Sequence, residues 1–246
     1  MITNKTEKIK TGIPGFDEIC NGGLLRNRAY VVEGMCGAGK SIFGLQFLYN
    51  GAVQYNEPGM LLSTEERPDS IRANASNLGW NLAELEGKGM LSIIDGSFAK
   101  IGIPSTEKYL DFKPSNIDKT ILTLIKVKED TGAKRLVVDS LTALSQDYLD
   151  RAGRYRKALL KMTTLLDLAG LTTLFLVEAR APGGVESFVT EGAITLYFKR
   201  KENLRVRGIE IHKLRGSDHS HKIHAIDIGH GGIVVHPAEE LYGEFD

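Results

Sequence analysis

The stretch Gly34-Met-Cys-Gly-Ala-Gly-Lys-Ser41 fits the pattern G-x-x-x-x-G-K-[ST] and directly follows the apolar run Ala29-Tyr-Val-Val32. A predicted strand over 29–33 and a predicted helix over 41–54 flank this glycine-rich turn. In such a turn the backbone N–H groups converge on phosphate oxygens, the lysine reaches the β- and γ-phosphates, and the serine hydroxyl ligates magnesium. The stretch therefore predicts a nucleoside triphosphate site with Mg²⁺, and a chance glycine-rich turn is the alternative.

Short apolar segments alternate with amphipathic ones through most of the chain. Further strands are predicted at 60–63, 90–94, 136–139 and 172–177, with helices at 68–78, 117–131 and 154–168 between them. After Thr190 four strands follow without helices, at 193–199, 205–213, 224–228 and 233–236. This order predicts an α/β fold, in one domain over 1–246. It is a doubly wound, mostly parallel sheet with helices on both faces and a carboxyl-terminal antiparallel extension.

Composition excludes several classes of protein. The 31 Lys and Arg residues balance the 31 Asp and Glu residues, so no overall charge attracts the chain to nucleic acid or to a membrane surface. No apolar run approaches the roughly 18 residues that span a bilayer, and 1–10 lack a signal-peptide core. Cys20 and Cys36 are too few for a disulfide framework, so both are expected to be free thiols. These features predict a cytoplasmic protein.

Acidic residues follow two of the predicted strands. The apolar strand Arg135-Leu-Val-Val-Asp139 ends in a carboxylate whose expected role is to hold Mg²⁺ through water, and capping of the next turn is the alternative. Glu65-Glu66 follow the strand 60–63, and adjacent carboxylates raise each other's pKa, as a general base requires. At least one of them, with Glu66 preferred, is a predicted catalytic base, and a solvated loop charge is the alternative.

With these residues assembled, the chain resembles the KaiC family of RecA-like P-loop ATPases over nearly its whole length. Six ordered segments carry the resemblance: Lys10-Thr-Gly-Ile-Pro-Gly-Phe-Asp-Glu-Ile-Cys-Asn-Gly-Gly23, the phosphate loop, Ser63-Thr-Glu-Glu66, Asn77-Leu-Gly-Trp80, Arg135-Leu-Val-Val-Asp-Ser140 and Lys213-Leu-Arg-Gly-Ser-Asp-His219. The chain carries one such module, like the single-domain members of the family.

The resemblance implies ATP as ligand, a hexameric ring, and catalytic roles for Glu65, Glu66, Lys40 and Arg215. It implies that the segment from Lys213 to His219 reaches the ATP of the neighbouring subunit, where Arg215 or Lys213 is the trans-acting cation. Ser41 and Asp139 are the expected metal-holding residues. The expected nucleotide-binding residues are Cys36, Gly37, Ala38, Gly39, Lys40, Ser41, Ile42, Asn77, Lys213, Leu214, Arg215, Ser217 and His219.

The chain departs from the family pattern at three places. Ala38 stands where the family usually has Thr, which removes one hydroxyl near the phosphates. The family's founding member, a clock protein, carries two such modules, one of which is autophosphorylated. Ser187-Phe188 align with its phosphorylated pair, but the stretch 184–191 is more similar to the purely hydrolytic module, so no autokinase activity is expected. His230 replaces the usual acid before the final strand.

Three other features are not assigned to the nucleotide site, and for the first two we favour an ordinary structural role over a functional one. His219 and His221 are predicted on one face of a strand, yet no cysteine or carboxylate completes a zinc pattern. Lys199-Arg200-Lys201, with Arg205 and Arg207, is interpreted as a solvated hairpin because no aromatic residues interleave with it. The segment 99–116 lacks periodicity and is predicted to be a mobile or partner-contacting connection.

The sequence therefore predicts a Mg²⁺-dependent ATPase at subunit interfaces, regulatory or signalling in role, with a protein partner that it does not name. Two alternatives stay open. One is a DNA-binding recombinase or repair paralogue, and the other is a scaffold that senses nucleotide with little turnover.

Overall fold

The computed structural model describes residues 7–98, 102, 104–145, 148, 152–179, 183–201 and 204–242. Its strands are β1 (Lys8–Ile9), β2 (Leu24–Leu25), β3 (Ala29–Gly34), β4 (Gly59–Ser63), β5 (Leu91–Asp95), β6 (Tyr109–Leu110), β7 (Arg135–Asp139), β8 (Thr172–Glu178), β9 (Gly192–Lys201), β10 (Leu204–Leu214), β11 (His224–Gly229) and β12 (Gly232–Glu240). Its helices are α1 (Phe16–Ile19), α2 (Lys40–Tyr55), α3 (Pro68–Asn77), α4 (Leu82–Gly87), α5 (Ile117–Thr131), α6 (Leu141–Ser145), α7 (Ala152–Leu168) and α8 (Val185–Val189).

Ten of these strands form one sheet in the order β12-β11-β10-β9-β3-β8-β7-β4-β5-β6. All neighbours from β9 to β6 are parallel, and the pairs from β9 to β12 are antiparallel. The predicted α/β class, with its antiparallel extension, is confirmed. The predicted strands and long helices are present, with ends shifted by a few residues.

Both faces of the sheet are buried, because side chains alternate along each strand. Tyr30 and Val32 of β3 belong to one apolar cluster, with α2, α3 and α4, while Val31 belongs to another, with α5 and α7. The predicted helices on both faces are therefore present. Among the described residues, every helix is too short or too polar to traverse a lipid bilayer.

Short elements escaped prediction because a few residues give no periodic signal. Asn81 caps the amino end of helix α4, because its side chain accepts a hydrogen bond from the Glu84 amide. Within the predicted connection 99–116, residues 99–101 and 103 lie outside the described ones, but β6 adds a parallel strand beside β5. The part of this connection around β6 is thus a sheet edge rather than a free loop.

Candidate nucleotide site

The phosphate loop lies between β3 and α2, as predicted. Gly39, directly before α2, has φ 108°, a left-handed conformation that favours glycine. At Gly34 a Cβ would lie 2.3 Å from the Leu196 carbonyl oxygen, so only glycine fits between β3 and β9. The loop thus brings backbone N–H groups to the amino end of a 16-residue helix, where the helix dipole also favours an anion.

Lys40 closes the loop on itself. Its Nζ donates hydrogen bonds to the carbonyl oxygens of Gly34 (2.8 Å) and Met35 (2.9 Å). Burial lowers the pKa of Lys40, and the nearby carboxylates of Glu178 and Asp139 oppose that change. The ammonium group is therefore held at the mouth of the loop by groups that phosphate oxygens can replace.

Asp139 and Ser41 meet beside the loop. The Ser41 hydroxyl lies near enough to the Asp139 carboxylate to affect its pKa, and both residues line the same cavity. Burial raises the pKa of Asp139, with a further contribution from the charge of Glu65, while Ser41 and Lys40 oppose the rise. A hydroxyl and a carboxylate that lie side by side offer only oxygen ligands to a metal ion, which fits Mg²⁺.

The two glutamates after β4 differ in their surroundings. Glu65 is exposed, whereas Glu66 is half-buried and accepts a 2.7 Å hydrogen bond from Asn74 of α3. Burial raises the pKa of Glu66 and the Asp139 carboxylate adds to the rise, while Asn74 opposes it. The rise thus has a different cause from the expected one, since Glu65 does not contribute to it.

Thr64 fixes these acids relative to one another. Its amide donates to the Asp139 carbonyl oxygen (2.8 Å), and its hydroxyl accepts from the Ser140 amide (3.0 Å). Thr64 is fully buried, so these bonds are shielded from water. The sequence analysis missed this residue, because its partners lie on a strand about 75 positions away in the chain.

Glu178 is a further acid that the sequence analysis missed. It ends β8 directly opposite Gly34 of β3, and its backbone amide donates a hydrogen bond to the Thr142 hydroxyl at 3.1 Å. Among the charges that oppose the lowering of the Lys40 pKa, that of Glu178 contributes most. The signal used for Asp139, an acid that ends an apolar strand, would also have found Glu178.

A cavity of about 310 Å³ joins several predicted site residues. Ser41, Asp139, Glu66 and Asn77 line it, together with apolar side chains of α2, β4 and α3. The structure thus brings the predicted metal-holding pair, one of the two glutamates and Asn77 to a single opening next to the phosphate loop.

The segment 213–219, hereafter the trans segment, lies away from this cavity. Leu214 pairs with Gly192, which pairs with Tyr30 near the amino end of β3, while Gly34 ends the same strand at the phosphate loop. Arg215 lies at the same height along the strands, because its amide donates to the Glu191 carbonyl oxygen and the Glu191 amide donates to the Ala29 carbonyl oxygen. The five residue steps from Ala29 to Gly34 correspond to roughly 17 Å along a strand. Within one chain, the phosphate loop therefore lies at the carboxyl ends of the parallel strands and the trans segment at their amino ends. These are the two opposite edges of the sheet that the strand ends form.

Residues of the trans segment have local partners. Lys213 Nζ donates to the carbonyl oxygens of Ser187 and Thr190, the latter at 2.7 Å, and Arg215 reaches that of Phe188 at 3.4 Å. The strand predicted for His219 and His221 is absent, since the described residues between β10 and β11 form turns and extended chain. Their rings lie 4.7 Å apart, and the described residues contain no group of three His, Cys, Asp or Glu side chains arranged for a metal ion.

The basic cluster on β9 and β10, interpreted above as a hairpin without aromatic residues, does contain one. The Arg207 and Arg205 guanidinium groups lie 4.3 and 5.4 Å from the centre of the Phe198 ring. An aromatic ring is therefore part of the cluster. Residues 202 and 203 and the side chains of 200 and 201 lie outside the described parts of the chain.

Comparisons with known proteins show the family to which the chain belongs. A family model described as "ATPase: KaiC" matches residues 9–240. A UPF0273 protein of Methanocaldococcus jannaschii is 37% identical over 242 residues, which cover 96% of this chain and 98% of that protein. The circadian clock oscillator protein KaiC of Parathermosynechococcus lividus is 38% identical over 236 residues, which cover 94% of this chain but 42% of KaiC.

A solved structure extends the likeness to three dimensions. The crystal structure of a KaiC-like protein from Pyrococcus horikoshii has a TM-score of 0.80 and 33% sequence identity, covering 94% of this chain and all of that one. The chain belongs to the KaiC-like family of P-loop ATPases, as the six sequence motifs predicted.

Proposed function

We propose that this chain is a single-domain ATPase that hydrolyses ATP with Mg²⁺ at the interfaces of a closed ring, a hexamer by family resemblance. The observation that carries the proposal is the separation of its two charged elements. The phosphate loop and the trans segment lie at opposite edges of one sheet, so a head-to-tail neighbour supplies what each site lacks.

Residues of one chain provide binding and proton transfer. The loop amides hold the phosphates of ATP, and Lys40 exchanges its two carbonyl partners for phosphate oxygens. Ser41 and Asp139 are the residues that would hold Mg²⁺, which supplies neutralising charge to the phosphates. Glu66 accepts the proton of the attacking water, and its raised pKa suits that role, with Glu65 as the alternative base.

The neighbouring subunit provides the remaining cation. Arg215 is exposed directly after β10, and its guanidinium donates a long hydrogen bond, of 3.4 Å, to the backbone carbonyl of Phe188. Such a guanidinium is available to neutralise charge on the γ-phosphate, an effect worth roughly 10³–10⁵ in turnover where it has been measured in other enzymes. Hydrolysis is thereby coupled to assembly, and the ring conformation can regulate a protein partner.

The test is ATP hydrolysis against protein concentration, with molar mass by light scattering, for the wild type and Arg215→Ala. We expect turnover to rise as the ring forms and Arg215→Ala to abolish it while ATP still binds. Lys88→Ala, which removes an exposed cation directly after α4, is the matched control and should behave as the wild type. A monomer that hydrolyses ATP equally well would rule out the interface site.

A second candidate is a DNA-binding paralogue, favoured by the ring of Phe198 beside two arginines. Stimulation of turnover by single-stranded DNA, with binding that falls steeply with salt, would support it.

A third candidate function is a nucleotide sensor with little turnover. A double Glu65→Gln/Glu66→Gln substitution would then leave the hydrolysis rate unchanged.

A further inference from the structure

Glu33 is an acid buried in the core strand that leads into the phosphate loop. The residue is 1% exposed, and its neighbours on β3 are Val31, Val32 and Gly34. Its carboxylate accepts hydrogen bonds from the hydroxyls of Ser187 (3.2 Å) and Thr195 (3.3 Å), both buried. No Lys or Arg among the described residues forms an ion pair with it. A carboxylate kept in such a place costs free energy that an apolar side chain would not, which calls for a functional reason.

The partner of Glu33 on α8 also holds the trans segment. The carbonyl oxygens of α8 and of the residue after it accept hydrogen bonds from Lys213, and that of Phe188 accepts one from Arg215. Ser187 therefore faces two ways, with its hydroxyl on Glu33 and its carbonyl on Lys213. The backbone of Glu33 continues into Gly34, whose carbonyl oxygen accepts a hydrogen bond from Lys40.

We propose that Glu33 is a positioning residue that sets α8, and through it Lys213 and Arg215, for the neighbouring subunit's nucleotide site. The carboxylate connects the strand of a chain's own phosphate loop to the cations that the same chain offers in trans. This inference rests on the proposed function, since it concerns the residues that complete the interface site.

Mixing two inactive variants tests it. Lys40→Ala disables a subunit's own site but leaves its trans segment intact, and Arg215→Ala does the reverse. Mixed rings contain interfaces at which the trans segment of a Lys40→Ala subunit serves the intact loop of an Arg215→Ala subunit, so activity should return on mixing. Glu33→Ala is then added to one parent at a time.

We expect Glu33→Ala to remove the recovered activity, by roughly tenfold or more, when it is combined with Lys40→Ala, whose trans segment is in use. Combined with Arg215→Ala, whose trans segment is already disabled, it should change the recovered activity by less than about threefold. A general loss of stability would lower both mixtures alike, so this asymmetry is specific to positioning. Glu33→Gln, which retains an acceptor oxygen, should restore activity in the first mixture.

Other outcomes overturn the inference in distinguishable ways. Equal loss in both mixtures shows that Glu33 stabilises the fold alone, and equal retention shows that it is dispensable. No recovery with the two parent variants, each shown by light scattering to assemble, overturns the interface site itself and the inference with it. Should Glu33→Ala fail to fold, Ser187→Ala in the same two contexts removes the hydroxyl but leaves the carbonyl that Lys213 contacts, and the same asymmetry is required.

Discussion

The backbone amide of Thr64 donates a 2.8 Å hydrogen bond to the carbonyl oxygen of Asp139, so the strand that leads to the glutamate pair is tied to the strand that ends in the proposed metal-holding acid. The Thr64 hydroxyl adds a second tie through the Ser140 amide. Because both bonds are buried, they fix the spacing between the proposed base and the proposed metal site.

Thr64→Val should therefore reduce both stability and turnover. Valine has the same shape but leaves the buried Ser140 amide without its acceptor, at a cost of about 1–3 kcal/mol in the free energy of unfolding. Urea denaturation and ATP turnover measure the two effects. Thr64→Ser keeps the hydroxyl and is the control, and a Thr64→Val protein with native kcat would show that this tie does not position the acids.

Asp139→Asn should raise the Mg²⁺ requirement. An amide in place of the carboxylate weakens the hold on a hydrated cation, and losses of about 10–100-fold in metal affinity are typical of such outer-shell changes. Turnover against free Mg²⁺ at saturating ATP measures the midpoint, and a chelator should abolish activity of the wild type. Asp95 ends β5 as Asp139 ends β7, but its carboxylate is engaged with Ser97 and Ser105, so Asp95→Asn should keep the native midpoint.

Glu66→Gln should lower kcat by about 10²–10⁴ while ATP still binds, because the amide cannot accept the proton of the attacking water. Glu65→Gln should have the smaller effect, since Glu65 is exposed and lies outside the cavity that Glu66 lines. Single-turnover hydrolysis and nucleotide binding separate chemistry from affinity. The reverse order of the two variants would assign the base to Glu65.

The Glu66 assignment also predicts a pH dependence. The Asn74 hydrogen bond lowers the pKa of Glu66, so Asn74→Ala should raise it further and shift the acidic limb of the kcat profile to higher pH. Turnover of Asn74→Ala should recover at high pH, where the carboxylate is again ionised. An unshifted limb would separate Glu66 from the titrating step.

Asp167→Asn should stabilise the protein at neutral pH but not in acid. Burial raises the pKa of Asp167 from its ordinary value of 3.8 to about 7, and its Oδ1 accepts no hydrogen bond from the described residues. Between those two pH values the folded state binds a proton that the unfolded state has released, so wild-type stability falls as pH rises towards 7. Asparagine carries no such charge.

The expected gain at pH 8 is on the order of 1 kcal/mol after allowance for solvent screening, and it should vanish near pH 4. Urea denaturation at both pH values measures it. Asp118→Asn removes an exposed carboxylate paired with Lys161, and should bring no gain at either pH. Equal stabilisation by Asp167→Asn at both values would exclude a titration.

Much of the site was predictable because its signals are local. The phosphate loop is contiguous in sequence, and Asp139 can be found in the sequence as a charged residue at the end of an apolar strand. The relations that depend on strand order were not predictable, since nothing in the segment around Thr64 shows that β4 lies beside β7. Glu33 escaped for a related reason, because a single acid in a strand reads as a solvated side chain until its partners on α8 and β9 are known.

The opposite-edge placement of loop and trans segment also constrains how many sites an assembly can have. Under the proposed interface site, an open row of n subunits contains n − 1 complete sites, with an unserved phosphate loop at one end and an unused Arg215 at the other. A closed ring of the same n subunits contains n. Activity per subunit in a dimer would then be half that in the ring, so the specific activity of isolated assemblies reports directly whether the row has closed.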